Sequence, residues 1–337
     1  MTKKVFLTGG TGFIGANVVR HLVDRGHEVV CLTRKSSPGL CLEGLPVTLV
    51  QADLNDAEGL ARAMDGCEDV YHLAGVFDAS PQGRELMHSV HVDGTRQLCE
   101  ASLQVGARRF LLCSSSVTIG FGPLSDLGDE RRPVSSLDAI YGHDGPLRWY
   151  HDSKAEAEQL VNTFHARGLE TVTVNPDYII GAWDIKPTSG ALVLTIAKGW
   201  LPVYPRGGKC FQDVDDCALG HILAMERGRV GERYLLGNEN HSYRSFMSII
   251  AQVVGRRPPL LPMPRLAGEA LGLVGAVGSR FDAHRFAGFN RYVLRSMAQE
   301  RYRSGDKAVR ELGVPQTPLY QAVEKAHRWF RDHGYLG

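Results

Sequence analysis

Apolar residues in this chain fall into short, nearly unbroken runs, separated by stretches in which they recur every three or four positions. Val5–Thr8, Val29–Thr33, Thr48–Ala52, Val70–Leu73, Phe110–Ser114 and Thr171–Asn175 each read as a buried strand bounded by turn residues. Between the first two, Ile14, Val18, Val19, Leu22 and Val23 share one helical face, and Gly26 stands at the expected C-terminal cap. Between the third and fourth, Asn55 with Glu58 predicts a capping box, and Gly66 closes that helix. Apolar strands alternating with amphipathic helices predict an α/β fold, a doubly wound parallel sheet covered on both faces. Such sheets take their ligands at the carboxyl ends of the strands.

The pattern changes after Asn175. Pro176, Pro187, Pro202, Pro205, Pro258 and Pro259 punctuate shorter elements, which predicts a smaller, mostly helical C-terminal substrate lobe. Phe211–Val214 and the helix Asp215–Met225 are expected to return to the sheet. The predicted division is therefore 1–175, rejoined by 209–236, and a lobe made of 176–208 and 237–337.

Composition narrows the function classes. Over 337 residues, Lys plus Arg number 38 and Asp plus Glu 37, so no basic excess points to nucleic acid. Seven scattered cysteines without a CxxC pair predict reduced thiols. Three apolar residues before Thr8 are too few for a signal-peptide core, and Ala270–Val277 is too short to span a bilayer. A cytoplasmic protein without an integral membrane segment is expected.

Thr8-Gly9-Gly10-Thr11-Gly12-Phe13-Ile14-Gly15 joins a strand to a helix. In that context Gly9 permits the tight turn, Gly12 lets the backbone approach a pyrophosphate, and Gly15 lets the helix pack closely on the sheet. The helix start at Phe13 and Ile14 offers free N–H groups and a positive dipole end. The second strand ends in Leu32-Thr33-Arg34-Lys35, without the carboxylate that would bind an adenosine ribose. Arg34 can fork onto a 2′-phosphate and Lys35 adds charge, which favours NADP(H) over NAD.

Further motifs follow in order: Asp53-Leu54, His72-Leu73-Ala74-Gly75, Cys113-Ser114-Ser115-Ser116, Tyr150-His151-Asp152-Ser153-Lys154 and Asn175-Pro176. Together with the glycine loop they resemble the extended short-chain dehydrogenases/reductases, of the Rossmann type, over nearly the whole chain. Gly181–Thr188 and Lys307–Gly313 are similar to the dihydroflavonol-4-reductase-like and hopanoid-associated sugar epimerase-like branch. The resemblance implies that Asp53 and Leu54 contact adenine and that Leu73, Ala74 and Gly75 lie beside the ribose. It places Pro176 beneath the nicotinamide. The catalytic serine it implies is Ser115, with Ser116 the alternative. The family often has Asn where His91 stands, and often His where Gln212 stands. Asp216 reads as a helix-start carboxylate.

Tyr150 and Lys154 lie four apart on one helical face, which Ala157, Val161 and Phe164 continue. A neighbouring ammonium and a cationic nicotinamide would lower the tyrosine pKa from about 10. Tyr150 can then pass a proton to or from a substrate oxygen, Lys154 can hold the cofactor ribose, and a serine hydroxyl can support developing charge. His88, His91, His143 and His151 have no metal-ligand spacing, and no metal is expected.

The expected activity is NADP(H)-dependent reduction of a ketone or aldehyde, or its reverse, on a fairly apolar small molecule. Val76, Phe77, Val117, Tyr178 and Trp183 are the candidate cleft lining. The alternatives are a nucleotide-sugar epimerase with tightly held cofactor, for which Lys186 and Arg206 would grip phosphate, and a 3β-hydroxysteroid-dehydrogenase-like oxidoreductase. Dehydration is disfavoured, because Ser116-Val117 rather than an acidic pair follows Ser115. A homodimer is left open.

Overall fold

Val5 and Leu7 turn to one face of strand β1 (Lys4–Thr8) and Phe6 to the other, and each face has its own apolar core. This alternation is what a strand buried on both sides requires. The computed structural model describes residues 2–34, 39–264 and 295–336; Lys35 and Ala270–Val277 lie outside them. In chain order β1 is followed by β2 (Glu28–Thr33), β3 (Val47–Gln51), β4 (Asp69–His72), β5 (Arg109–Cys113) and β6 (Glu170–Pro176). The later strands are β7 (Tyr178–Ile180), β8 (Val203–Tyr204), β9 (Gly208–Asp213), β10 (Arg233–Leu236), β11 (Glu239–Ser242), β12 (Leu261–Pro262) and β13 (Glu300–Arg301).

The main sheet is parallel throughout, in the order β10-β6-β5-β4-β1-β2-β3. Its strand order reverses between β1 and β4, so the crevice for a ligand opens at the ends of these two strands. Helix α1 (Phe13–Asp24) and the later helix 214–227 cover one face. Helices α2 (Ala57–Ala63), α3 (Gly83–His88), α4 (Gly94–Gln104), α5 (Leu137–Tyr141) and α6 (Pro146–Ala166) follow in sequence. Of these, α2, α4 and α6 pack against the other face. All seven cysteines are free and buried.

Two local expectations are corrected. The cap of α2 is Asp56, whose carboxylate accepts the Gly59 N–H at 2.9 Å, rather than Asn55. Strand β9 does not join the main sheet; it pairs with β7, β11 and β13 in a small second sheet. The chain rejoins the main fold one element later, through α8 (Val214–Arg227) and β10. The cap of α8 is Asp213, which accepts the Asp215 N–H at 2.8 Å. Asp216 stands in the first turn, as expected of a helix-start carboxylate, where it is buried and accepts both the N–H and the hydroxyl of Thr317. A third core gathers α7 (Ala191–Lys198), α9 (Tyr243–Val253) and the C-terminal helix 319–332 around Phe211 and Phe246. Among the described residues, no helix is long and apolar enough to cross a membrane.

Candidate active site

The glycine loop lies hard against the chain leaving β4. Gly9 has φ +77°, and a Cβ there would sit 2.5 Å from the Leu73 carbonyl carbon and 2.6 Å from the Ala74 nitrogen. Gly15 faces the Gly9 carbonyl oxygen with no room for a side chain. At Gly12 a Cβ would meet only that same oxygen, at 3.2 Å, so its outer side is open for a close ligand approach. Gly12 caps α1 in an extended conformation, and no acidic residue in the first turn offsets the positive helix end. These features fit a dinucleotide pyrophosphate. Phe13 and Ile14 pack on the core beneath. Arg34 is exposed at the carboxyl end of β2. Asp53 is exposed and accepts the Asn55 N–H at 2.9 Å, while Leu54 packs against Gly94.

Helix α6 carries Tyr150, Ser153, Lys154 and Glu158 into the space beside β5 and β6. Pro146 is pre-shaped for its first turn. The Lys154 ammonium donates to the Cys113 carbonyl at 3.0 Å, and burial lowers its pKa. Burial also pushes the Tyr150 phenol up to about 12, partly offset by its hydrogen bond with Ser115. Burial is the larger influence, and the phenol keeps its proton at neutral pH.

Ser115 is half-buried, caps the short helical turn Ser116–Thr118, and accepts the Val117 N–H at 3.4 Å. Ser116 is only 2% exposed, so the pair divides by orientation: Ser115 meets the tyrosine. Behind it lies a polar hub that sequence reasoning missed. Asn175 donates to the Ser115 carbonyl at 3.1 Å and to Glu158 at 2.7 Å. Glu158 also accepts from Thr118 at 2.7 Å, from Ser114, and from Arg233 at 3.2 Å. Glu158 stands one helical turn beyond Lys154, the one sequence signal that could have marked it. Pro176 is buried at the end of β6.

Two buried histidines join the glycine loop to α6. The Ala74 N–H donates to the Thr8 hydroxyl at 3.2 Å, and that hydroxyl lies 2.7 Å from His72 Nδ1. His72 Nε2 is 3.0 Å from the Thr95 hydroxyl, which donates to the His91 carbonyl. His91 sits in a wide π-helical turn (Ser89–Asp93), a feature frequent at functional sites. Its Nε2 accepts the Val76 N–H at 3.1 Å, so its Nδ1 carries the proton and donates to Ser153 at 2.8 Å. Every donor then has an acceptor with both rings neutral. Burial and the Lys154 charge hold His72 down at about 3 and His91 at about 2.

The candidate lining residues separate into two groups. Phe77 is 42% exposed and meets the Tyr150 ring edge-on at 5.6 Å. The Val76 N–H donates to His91 and the Val117 N–H to Ser115, the two residues that meet the tyrosine. Tyr178 packs instead between Phe211 and Phe246. Trp183, at φ +72°, is held under the Arg20 guanidinium at 3.4 Å and beside Trp329 and His333. Lys186 and Arg206 are both exposed. Of the histidines noted above, His88 pairs with Asp93 and Glu156, His143 with Asp138, and His151 with Asp152. Beyond the site, Asp177 is buried between Lys209 and Arg303, at 3.0 and 2.7 Å. Arg303 also donates to the Ile119 carbonyl and so holds the chain just past the serine turn.

The profile of the NAD dependent epimerase/dehydratase family matches residues 5–237. A putative dihydroflavonol 4-reductase from Synechocystis is 35% identical, over 98% of this chain and 95% of its own length. Sterol demethylase protein B from Methylococcus capsulatus is 32% identical, over 98% and 99%. Among solved structures, a nucleoside-diphosphate-sugar epimerase from Pseudomonas aeruginosa is 27% identical, with a TM-score of 0.79 over 100% of both chains.

Proposed function

Because the chain belongs to the NAD-dependent epimerase/dehydratase family, we propose that it is an NADP(H)-dependent reductase of ketones or aldehydes carried on fairly apolar small molecules. The observation that carries this reading is the Tyr150 phenol, protonated at neutral pH and faced by the exposed ring of Phe77. The names of the Synechocystis and Methylococcus relatives, a flavonoid reductase and a sterol-modifying protein, support an apolar substrate. Arg34 at the end of β2, where a ribose-binding carboxylate would stand, supports the 2′-phosphate.

When bound, the reduced nicotinamide supplies a hydride to the substrate carbonyl carbon. The chain's own part is positional and protonic. Gly9, Gly12, Phe13, Ile14 and Gly15 receive the pyrophosphate, with Leu73, Ala74 and Gly75 beside the ribose. Tyr150 donates its phenolic proton to the carbonyl oxygen, leaving an alcohol and a phenolate. Ser115 donates a hydrogen bond to the same oxygen as charge develops. The Lys154 ammonium steadies the phenolate until it takes a proton back from solvent.

Turnover of NADPH with aryl and alicyclic ketones tests the proposal, alongside NMR of nucleotide sugars incubated with the enzyme. Net NADPH consumption with a ketone is the expected result. Inversion of a sugar carbon without net consumption, on a tightly retained cofactor, would replace it with the epimerase reading.

A further inference from the structure

The charge of this chain is balanced overall and uneven locally. No acidic residue occurs between Asp184 and Asp213, or between Glu239 and Glu269. These two stretches meet in space. Strand β8 pairs with β12, the Leu260 and Leu261 N–H groups donate to the Pro202 carbonyl, and the Arg256 guanidinium donates to the Ala197 carbonyl. The junction exposes three large apolar side chains: Trp200 at 52%, Leu260 at 62% and Leu261 at 61%. Lys198, Arg206, Arg244, Arg256 and Arg257 are exposed on the same two stretches.

We infer that this face is a docking surface for an anionic lipid bilayer. Trp200, Leu260 and Leu261 enter the headgroup region, and the surrounding cations meet lipid phosphates. Three large apolar side chains are exposed where two paired segments meet, and grouped exposure of this kind marks interaction sites more than scattered surface leucines do. Tryptophan favours the membrane–water boundary, where its ring is buried and its N–H stays wet. Each basic residue near an anionic surface adds attraction, and here no carboxylate on either stretch opposes it. The face takes no part in the proposed hydride transfer, so the inference stands apart from that reading.

The test is flotation of the full-length protein with vesicles of phosphatidylcholine alone or with roughly one third phosphatidylglycerol. Binding is expected only to the anionic vesicles, with a blue shift of tryptophan emission that Trp200→Phe reduces. Arg256→Ala with Arg257→Ala should weaken partitioning roughly tenfold to thirtyfold. Leu260→Ser with Leu261→Ser should weaken it further. Unchanged Tm and NADPH binding in these variants would show that they fold. Failure of the wild type to float with anionic vesicles would overturn the inference, as would flotation of both double variants equal to that of the wild type. So would a dimer, detected by light scattering, that these substitutions dissolve, since the patch would then belong to a second copy.

Discussion

The imidazole of His91 meets the Tyr150 ring edge-on, with centroids 5.5 Å apart and planes at 74°. The same ring holds the Val76 N–H on one nitrogen and the Ser153 hydroxyl on the other. His91 therefore sets the phenol from two sides, through its edge and through the backbone around it. His91→Ala leaves those buried partners unsatisfied, and kcat should fall about tenfold to a hundredfold. The Kd for NADPH should change less than kcat, because His91 reaches the glycine loop only through Thr95 and His72. Stopped-flow turnover beside fluorescence titration separates the two, and an unchanged kcat would remove His91 from the positioning of Tyr150.

Tyr150, held up at about 12, carries its proton through the neutral range. Carbonyl reduction uses the protonated form, so its rate should be flat from roughly pH 6 to 9. Alcohol oxidation needs the phenolate, so its rate should climb with pH over the same span. Tyr150→Phe should abolish turnover in both directions and leave cofactor binding nearly intact. Substantial activity in that variant would mean that another acid moves the proton.

Arg34→Ala should weaken NADPH binding by roughly tenfold to a hundredfold, the worth of a charge-assisted hydrogen bond, and leave NADH binding nearly unchanged. Titration of both cofactors into wild type and variant reads this directly. Equal affinity of the wild type for the two would refute a 2′-phosphate role for Arg34.

Gly9 and Gly12 should respond differently to alanine. At Gly9 the positive φ and the close Leu73 carbonyl make a Cβ costly to the fold, by about 1–3 kcal/mol from strain alone. Gly9→Ala should therefore lower both Tm and cofactor affinity. Gly12→Ala places a methyl group on the open side of the loop, so Tm should hold while NADPH binding drops. Calorimetry with titration distinguishes the pair, and an unaffected NADPH affinity in Gly12→Ala would count against a pyrophosphate there.

His72 and His91 stay neutral in the fold, at about 3 and about 2, but titrate near 6.5 once unfolded. Below about 6.5 the unfolded chain gains two protons that the folded chain does not, so stability falls as pH falls. Above that value neither state is charged and the contribution vanishes. The slope is about 1.4 kcal/mol per pH unit for each histidine. Urea unfolding between roughly pH 5 and 7 should show His91→Asn losing about one proton of this dependence. An unchanged slope would mean that His91 accepts a proton while folded.

The α/β alternation and the glycine loop were legible in the sequence because both depend on local rules. A strand buried on both faces must be apolar throughout, and only glycine turns at φ +77° against a neighbouring carbonyl. Tyr150 and Lys154 were legible for the same reason, since four residues of helix place them on one face whatever packs around them. Tertiary structure decided what cannot be read along the chain. Ser115 rather than Ser116 meets Tyr150 because Asn175, from a neighbouring strand, holds the Ser115 carbonyl. Glu158 became a hub only when β5, β6 and β10 brought Ser114, Asn175 and Arg233 to it. Tyr178 and Trp183 were drawn into aromatic packing with the third core, because an apolar ring gains as much from burial there as in a cleft. The burial of the Tyr150 phenol is similarly non-local: it is set by the volume of protein around the ring, and sequence spacing shows only one of its neighbours.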